Sequence, residues 1–100
     1  MRGRVLVIDD EPSILSTLKK ALTLEGYEVD VAGGVALAQE RLAARGYDVL
    51  LLDVALPDGN GLELLERLRT AGNDAQVIMM RGHATVDVAV RATRLGALDF

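Results

Sequence analysis

The chain contains no cysteine, which excludes disulfides, thiolate nucleophiles and cysteine-ligated zinc. Any metal is left to oxygen ligands or to the one histidine, His83, so hard divalent cations are the expected ones. Long apolar runs are missing too. None approaches the roughly eighteen residues of a membrane span, and Met1-Arg2-Gly3-Arg4 passes straight into a short strand-like segment without a signal peptide's apolar stretch. The expectation is a soluble cytoplasmic chain with no membrane partner. Clustered Lys and Arg are lacking at a formal charge of −4, which disfavours a direct grip on nucleic acid by counterion release. Arg91 and Arg94 read as a solvated helix face. Gly33-Gly34 lacks the spaced glycines of a dinucleotide site. No repeat, low-complexity tract or linker divides the sequence, so residues 1–100 read as one domain.

What is present is half hydrophobic, with only two prolines to interrupt it, as one packed core requires. Four short apolar runs, Val5 to Ile8, Val29 to Ala32, Val49 to Leu52 and Val77 to Met80, are too short for helices and read as strands. Between them apolar residues recur at helical spacing. A first helix starting near Pro12 carries Ile14, Leu15, Leu18, Ala21 and Leu22 and ends at Gly26. A second carries Val35, Ala38 and Leu42 before Gly46, and a third carries Leu62, Leu65 and Leu68 before Gly72. A fourth carries Val86, Ala89 and Val90 before Gly96, and Ala97 to Phe100 opens a fifth strand. Strict alternation predicts right-handed crossovers and a parallel sheet covered by helices on both faces, an α/β doubly wound fold. A fifth helix would follow Phe100, so the domain reads as incomplete at its C-terminus.

In such a sheet, ligands bind at the carboxyl ends of the strands where strand order reverses. Asp9 and Asp10 directly follow the first strand and Asp53 the third, so neighbouring strands bring three carboxylates to one rim. Two carboxylates about 5 Å apart at an effective dielectric of about 20 repel by roughly 3 kcal/mol, so three together call for a proton or a cation. Magnesium, which takes one or two carboxylates and keeps waters and phosphate oxygens, suits an open rim. A single aspartate ending a strand is commonly a turn former; three converging beside Leu56-Pro57-Asp58-Gly59-Asn60-Gly61 are harder to explain that way. Glu11, before Pro12, is biased to extended backbone and to solvent. The available chemistry is attack by a carboxylate on a phosphoryl group. Asp53, the lone acid on its strand, is the better nucleophile, and the Asp9-Asp10 pair the better metal holder.

Together these residues resemble the receiver domains of two-component response regulators. The likeness is carried by Val5-Leu6-Val7-Ile8-Asp9-Asp10-Glu11, by Asp53 followed by Pro57 and Gly61, and by Arg81-Gly82-His83 with Leu95-Gly96-Ala97-Leu98-Asp99-Phe100. From Val77 onward the chain is most similar to receivers attached to AAA+ ATPase and DNA-binding domains of sigma-54-dependent activators. The resemblance implies a flavodoxin-like five-stranded sheet in order 2-1-3-4-5. It implies Asp53 as phosphoacceptor for a sensor histidine kinase, with Mg2+ (or Mn2+) as cofactor. Asp10, Asp53 and the Ala55 backbone carbonyl become direct metal ligands, Asp9 a ligand through water, and Pro57 and Gly61 the shapers of the loop. It further implies a regulatory domain that catalyses only its own phosphotransfer and dephosphorylation, joined to an output domain and expected to homodimerise.

Two departures stand against the family pattern. Arg81 occupies the place of the usual Ser or Thr at the end of the fourth long strand, and the family lysine would fall three residues beyond Phe100. Arg81 could replace the missing phosphate donors, mimic the cation over the acids, or face solvent. Phe100 stands at the family's switch aromatic, or is a plain core ring. His83 reads as a residue opening the fourth helix rather than a catalyst, and Tyr27 and Tyr47 as rings covering the sheet's lower edge. Two rivals remain: a phosphate-independent pseudo-receiver that pairs with partners or itself, and a phosphohydrolase. The second lacks a convincing general acid-base, because Asp58 lies deep in the turn.

Overall fold

The computed structural model describes residues 2–80 and 94–99. In chain order these form β1 (Arg4–Ile8), α1 (Pro12–Leu24), β2 (Glu28–Ala32), α2 (Val35–Ala44) and β3 (Val49–Asp53). There follow β4 (Ala55–Leu56), β5 (Gly59–Asn60), α3 (Gly61–Thr70), β6 (Gln76–Met80) and β7 (Ala97–Asp99). The five longer strands pair in parallel in the order β2-β1-β3-β6-β7, the order that the resemblance implies. The two-residue β4 and β5 form a separate antiparallel hairpin, which apolar patterning could not announce because neither strand has an apolar run. The fourth helix, with Val86, Ala89 and Val90, lies outside the described residues, as do Arg81, His83, Arg91 and Phe100.

Alternation along each strand sorts the core into two layers. Leu6, Ile8, Leu50, Leu52, Val77 and Met79 are buried beneath α2 and α3, against Val35, Ala38, Leu62, Leu64 and Leu65. Val5, Val7 and Val29 face the other way, toward Leu15, Leu18 and Leu22 of α1. Burying a side chain such as Leu50 or Leu52 completely contributes about 1.5–3 kcal/mol, which pins the register of the central strand. The two layers are unequal. No residue of α1 is fully buried, and Ala21, expected in its apolar stripe, is exposed. Leu51 and Met80 on that face are only partly covered.

The helix ends follow local chemistry. Pro12 occupies the first turn of α1, where its missing N–H costs nothing, behind an extended Glu11 at φ −90° and ψ 114°. Gly26 and Gly72 follow α1 and α3 at φ 95° and 84°, the left-handed region that glycine enters without a Cβ clash. Gly46 does not take that role. α2 ends one residue earlier, with Arg45 already extended at φ −157°.

Candidate functional site

The register decides where the acids stand. Ile8 of β1 faces Leu52 of β3, so Asp9 and Asp53 each lie one residue beyond the same pair, on adjacent strands. This is also where strand order reverses, since the chain runs outward from β1 to β2 and then returns to β3 on the other side. Asp9, Asp10 and Asp53 each offer an oxygen, and these oxygens all lie within 4.8 Å of one another. Asp9 and Asp53 are buried at 4% and 8% relative exposure, whereas Asp10 is open to solvent. Glu11 is exposed, as expected of the residue before Pro12.

Backbone amides orient two of the three carboxylates. Asp9 Oδ1 accepts from the Glu11 amide at 2.9 Å, closing a short turn between β1 and α1. Asp53 Oδ1 accepts from the Ala55 amide at 3.3 Å. Burial raises the Asp53 pKa above the usual carboxylate value, and the charges of Asp9 and Asp10 push it further the same way. The Ala55 and Val54 amides oppose the shift without cancelling it. A carboxylate whose ionised form is disfavoured by neighbouring acids is one that a divalent cation relieves. Oxygen donors of this kind, with one side open, fit a hard cation such as magnesium.

The loop after Asp53 closes tightly over the strand end. The Gly61 amide donates to the Val54 carbonyl at 2.7 Å, and Ala55 pairs with Asn60 across the hairpin. A Cβ on Gly61 would collide with the Asp53 carbonyl oxygen, so the close approach of the two backbones requires glycine. Asn60 Oδ1 caps α3 by accepting from the Leu62 amide at 2.7 Å. Pro57 and Asp58 are exposed at the hairpin tip. The structure thus brings together Asp9, Asp10 and Asp53 with the Ala55–Gly61 loop beside them.

Residues 5–100 match the pattern of the response regulator receiver domain family. The chain belongs to that family. It is 36% identical over 99 residues to the alginate biosynthesis transcriptional regulatory protein AlgB of Pseudomonas putida, covering 99% of this receiver and 22% of AlgB. The receiver therefore spans about a fifth of the length of that relative. Among solved structures it is similar to the beryllofluoride-activated NtrC4 receiver domain dimer, at 40% identity and a TM-score of 0.85 over 94% of this chain and 78% of that one. It is similar as well to a response regulator from Burkholderia pseudomallei with a phosphorylated aspartic acid, calcium ion and citrate. There the identity is 30% and the TM-score 0.88, over 96% of this chain and 56% of the other.

Sequence reasoning found the three acids because each follows an apolar strand. It missed the part played by Asp58. Oδ1 of that exposed residue accepts from the Val35 amide at 2.7 Å, and Oδ2 from the Ala36 amide at 3.0 Å. The bond spans 23 and 22 positions, so the only advance signal was negative: Gly34, the residue that opens α2, has no side chain with which to cap it.

Proposed function

We propose that this receiver is a cytoplasmic regulatory domain that accepts a phosphoryl group on Asp53 from a sensor histidine kinase. The observation that carries this reading is the gathering of Asp9, Asp10 and Asp53 oxygens within 4.8 Å at the ends of two adjacent parallel strands. A carboxylate oxygen of Asp53 attacks phosphorus, the P–N bond to the donor imidazole breaks, and its electron pair leaves with the nitrogen. Asp10, Asp53 and the Ala55 carbonyl would hold the cation directly. Asp9, with Oδ1 already engaged by the Glu11 amide, would act through water. Mg2+ or Mn2+, when bound, neutralises charge on the transferring group and on the acids.

The same reading assigns Pro57 and Gly61 to shaping the loop, and Arg81 and Phe100 to the neighbourhood of the phosphoryl group. Residues 1–100 then form one receiver domain. The full protein would carry an output domain, of the AAA+ ATPase and DNA-binding kind in sigma-54-dependent activators. Support for that extension comes from AlgB, a transcriptional regulatory protein of which this chain covers 22%. Pairing of two copies is supported by the NtrC4 receiver, which is a dimer.

The decisive experiment is incubation of the chain with magnesium and a small acyl phosphate, followed by peptide mass mapping. Modification confined to Asp53, and lost in Asp53→Asn, is the expected result. Native chain that stays unmodified with magnesium present sinks the phosphoacceptor assignment.

A further inference from the structure

We propose that Asp58 is a positioning residue for the cation site: its carboxylate ties the tip of the β4–β5 hairpin to the first turn of α2, and so holds the Ala55 carbonyl beside Asp53. The proposal rests on the reading of Asp53 as a metal-assisted phosphoacceptor, and adds to it a residue with no place among the ligands.

The hairpin is a poor support for a metal ligand by itself. Each strand has two residues, and isolated ribbons of that size are not independently stable. Its base is anchored by the Gly61 amide on the Val54 carbonyl, but that leaves the tip, Pro57 and Asp58, exposed. Asp58 supplies the second anchor through its paired bonds to the Val35 and Ala36 amides. α2 is a firm partner, because Val35 and Ala38 are buried in the main core layer.

Two glycines are shaped to this contact from opposite sides. A Cβ on Gly34 would stand 2.7 Å from Asp58 Oδ1, and one on Gly59 would stand 2.8 Å from Val35 Cγ2. The helix and the hairpin tip can meet this closely only because both positions lack side chains. Gly34 gives up the local capping that Ser or Asp would provide, and the cap arrives instead from the loop that carries Ala55. The two N–H donors also hold the Asp58 carboxyl below its usual pKa, so it is ionised wherever the site would bind a cation.

A test must separate loop positioning from plain helix capping. Gly34 sits at φ −171° and ψ −178°, extended backbone open to any residue, and the three atoms nearest a Cβ there all belong to the Asp58 side chain. Gly34→Ser combined with Asp58→Ala therefore restores a cap on α2 without the tie to the hairpin. Magnesium affinity of the chain is measured by calorimetric titration and Tm by circular dichroism, for native, Asp58→Ala, Asp58→Asn and the double variant. Asp58→Ala is expected to weaken magnesium binding about tenfold, as loss of a ligand-orienting partner does, and to lower Tm. Asp58→Asn, with one acceptor kept, should fall between native and Asp58→Ala. The double variant should regain Tm while its magnesium affinity stays about tenfold weak. Native affinity in Asp58→Ala, or recovery of affinity together with Tm in the double variant, overturns the proposal. If the native chain neither binds magnesium nor takes a phosphoryl group on Asp53, the underlying assignment of the site falls, and the positioning role with it.

Discussion

Asp53 combines burial with two neighbouring acids, and this gives the metal-free receiver an unusual pH response. A carboxyl whose pKa is higher folded than unfolded keeps its proton longer in the native state, so the contribution of Asp53 to stability is fully present below the unfolded value near 3.8 and is lost as pH rises through the folded one. Asp53→Asn removes the charge and keeps the shape. It is expected to stabilise the metal-free chain by about 1 kcal/mol at neutral pH and to flatten that decline, as read by urea unfolding across pH. Added magnesium should stabilise the native chain by about 2.7 kcal/mol at a hundredfold excess over Kd, and the Asn variant much less. A variant no more stable than native without metal would mean that the three acids do not repel one another in the fold.

At the level of elements, the acids were legible because the apolar runs Val5 to Ile8 and Val49 to Leu52 end directly at Asp9 and Asp53, so those acids had to stand at the rim. The three described helices were legible from apolar residues at helical spacing, whereas the strand order followed from the resemblance to receiver domains. Contacts joining distant segments were not. Leu64 is fully buried although the helical spacing marked only Leu62, Leu65 and Leu68, because α3 is gripped by the sheet over a wider arc than one stripe. Arg69 reads as a surface charge, yet its guanidinium donates to four carbonyls, those of Asn73, Ala75, Leu95 and Gly96, at 3.0, 2.8, 2.9 and 3.2 Å. It ties the end of α3 to the entry of β6 and to the turn before β7. Arg69→Ala should cost about 2 kcal/mol in denaturant unfolding, since charge-assisted bonds contribute about 1.5–3 kcal/mol each and water can reach part of this cluster. Gly61→Ala should cost about 1–3 kcal/mol through backbone displacement and should also weaken phosphoryl transfer, because the atom it meets is the Asp53 carbonyl oxygen. Unimpaired labelling of Gly61→Ala would show that the loop can yield without moving the acid.

At the scale of the whole molecule, the two faces of the sheet are unequally covered among the described residues. α2 and α3 seal one layer, while on the other Leu15, Leu18, Leu51 and Met80 keep part of their apolar surface. Apolar surface left uncovered favours association, so the 100-residue chain is expected to sediment as a dimer or larger species. A monomer at high concentration overturns that expectation. Among the described residues no helix is long and apolar enough to cross a membrane.

The end of the sheet opposite the acids is chemically self-contained. Arg4 and Arg45 meet Glu28 at 3.3 and 2.8 Å, and the Tyr47 hydroxyl donates to Asp30 at 2.6 Å. Burial, then the bond to Asp30 and its charge, push that phenol up to about 12. Tyr47 and the three acids thus lie at opposite ends of one parallel sheet. Ultraviolet absorbance should show Tyr47 losing its proton near the same alkaline pH with or without added magnesium, an inert spectator built into the receiver itself.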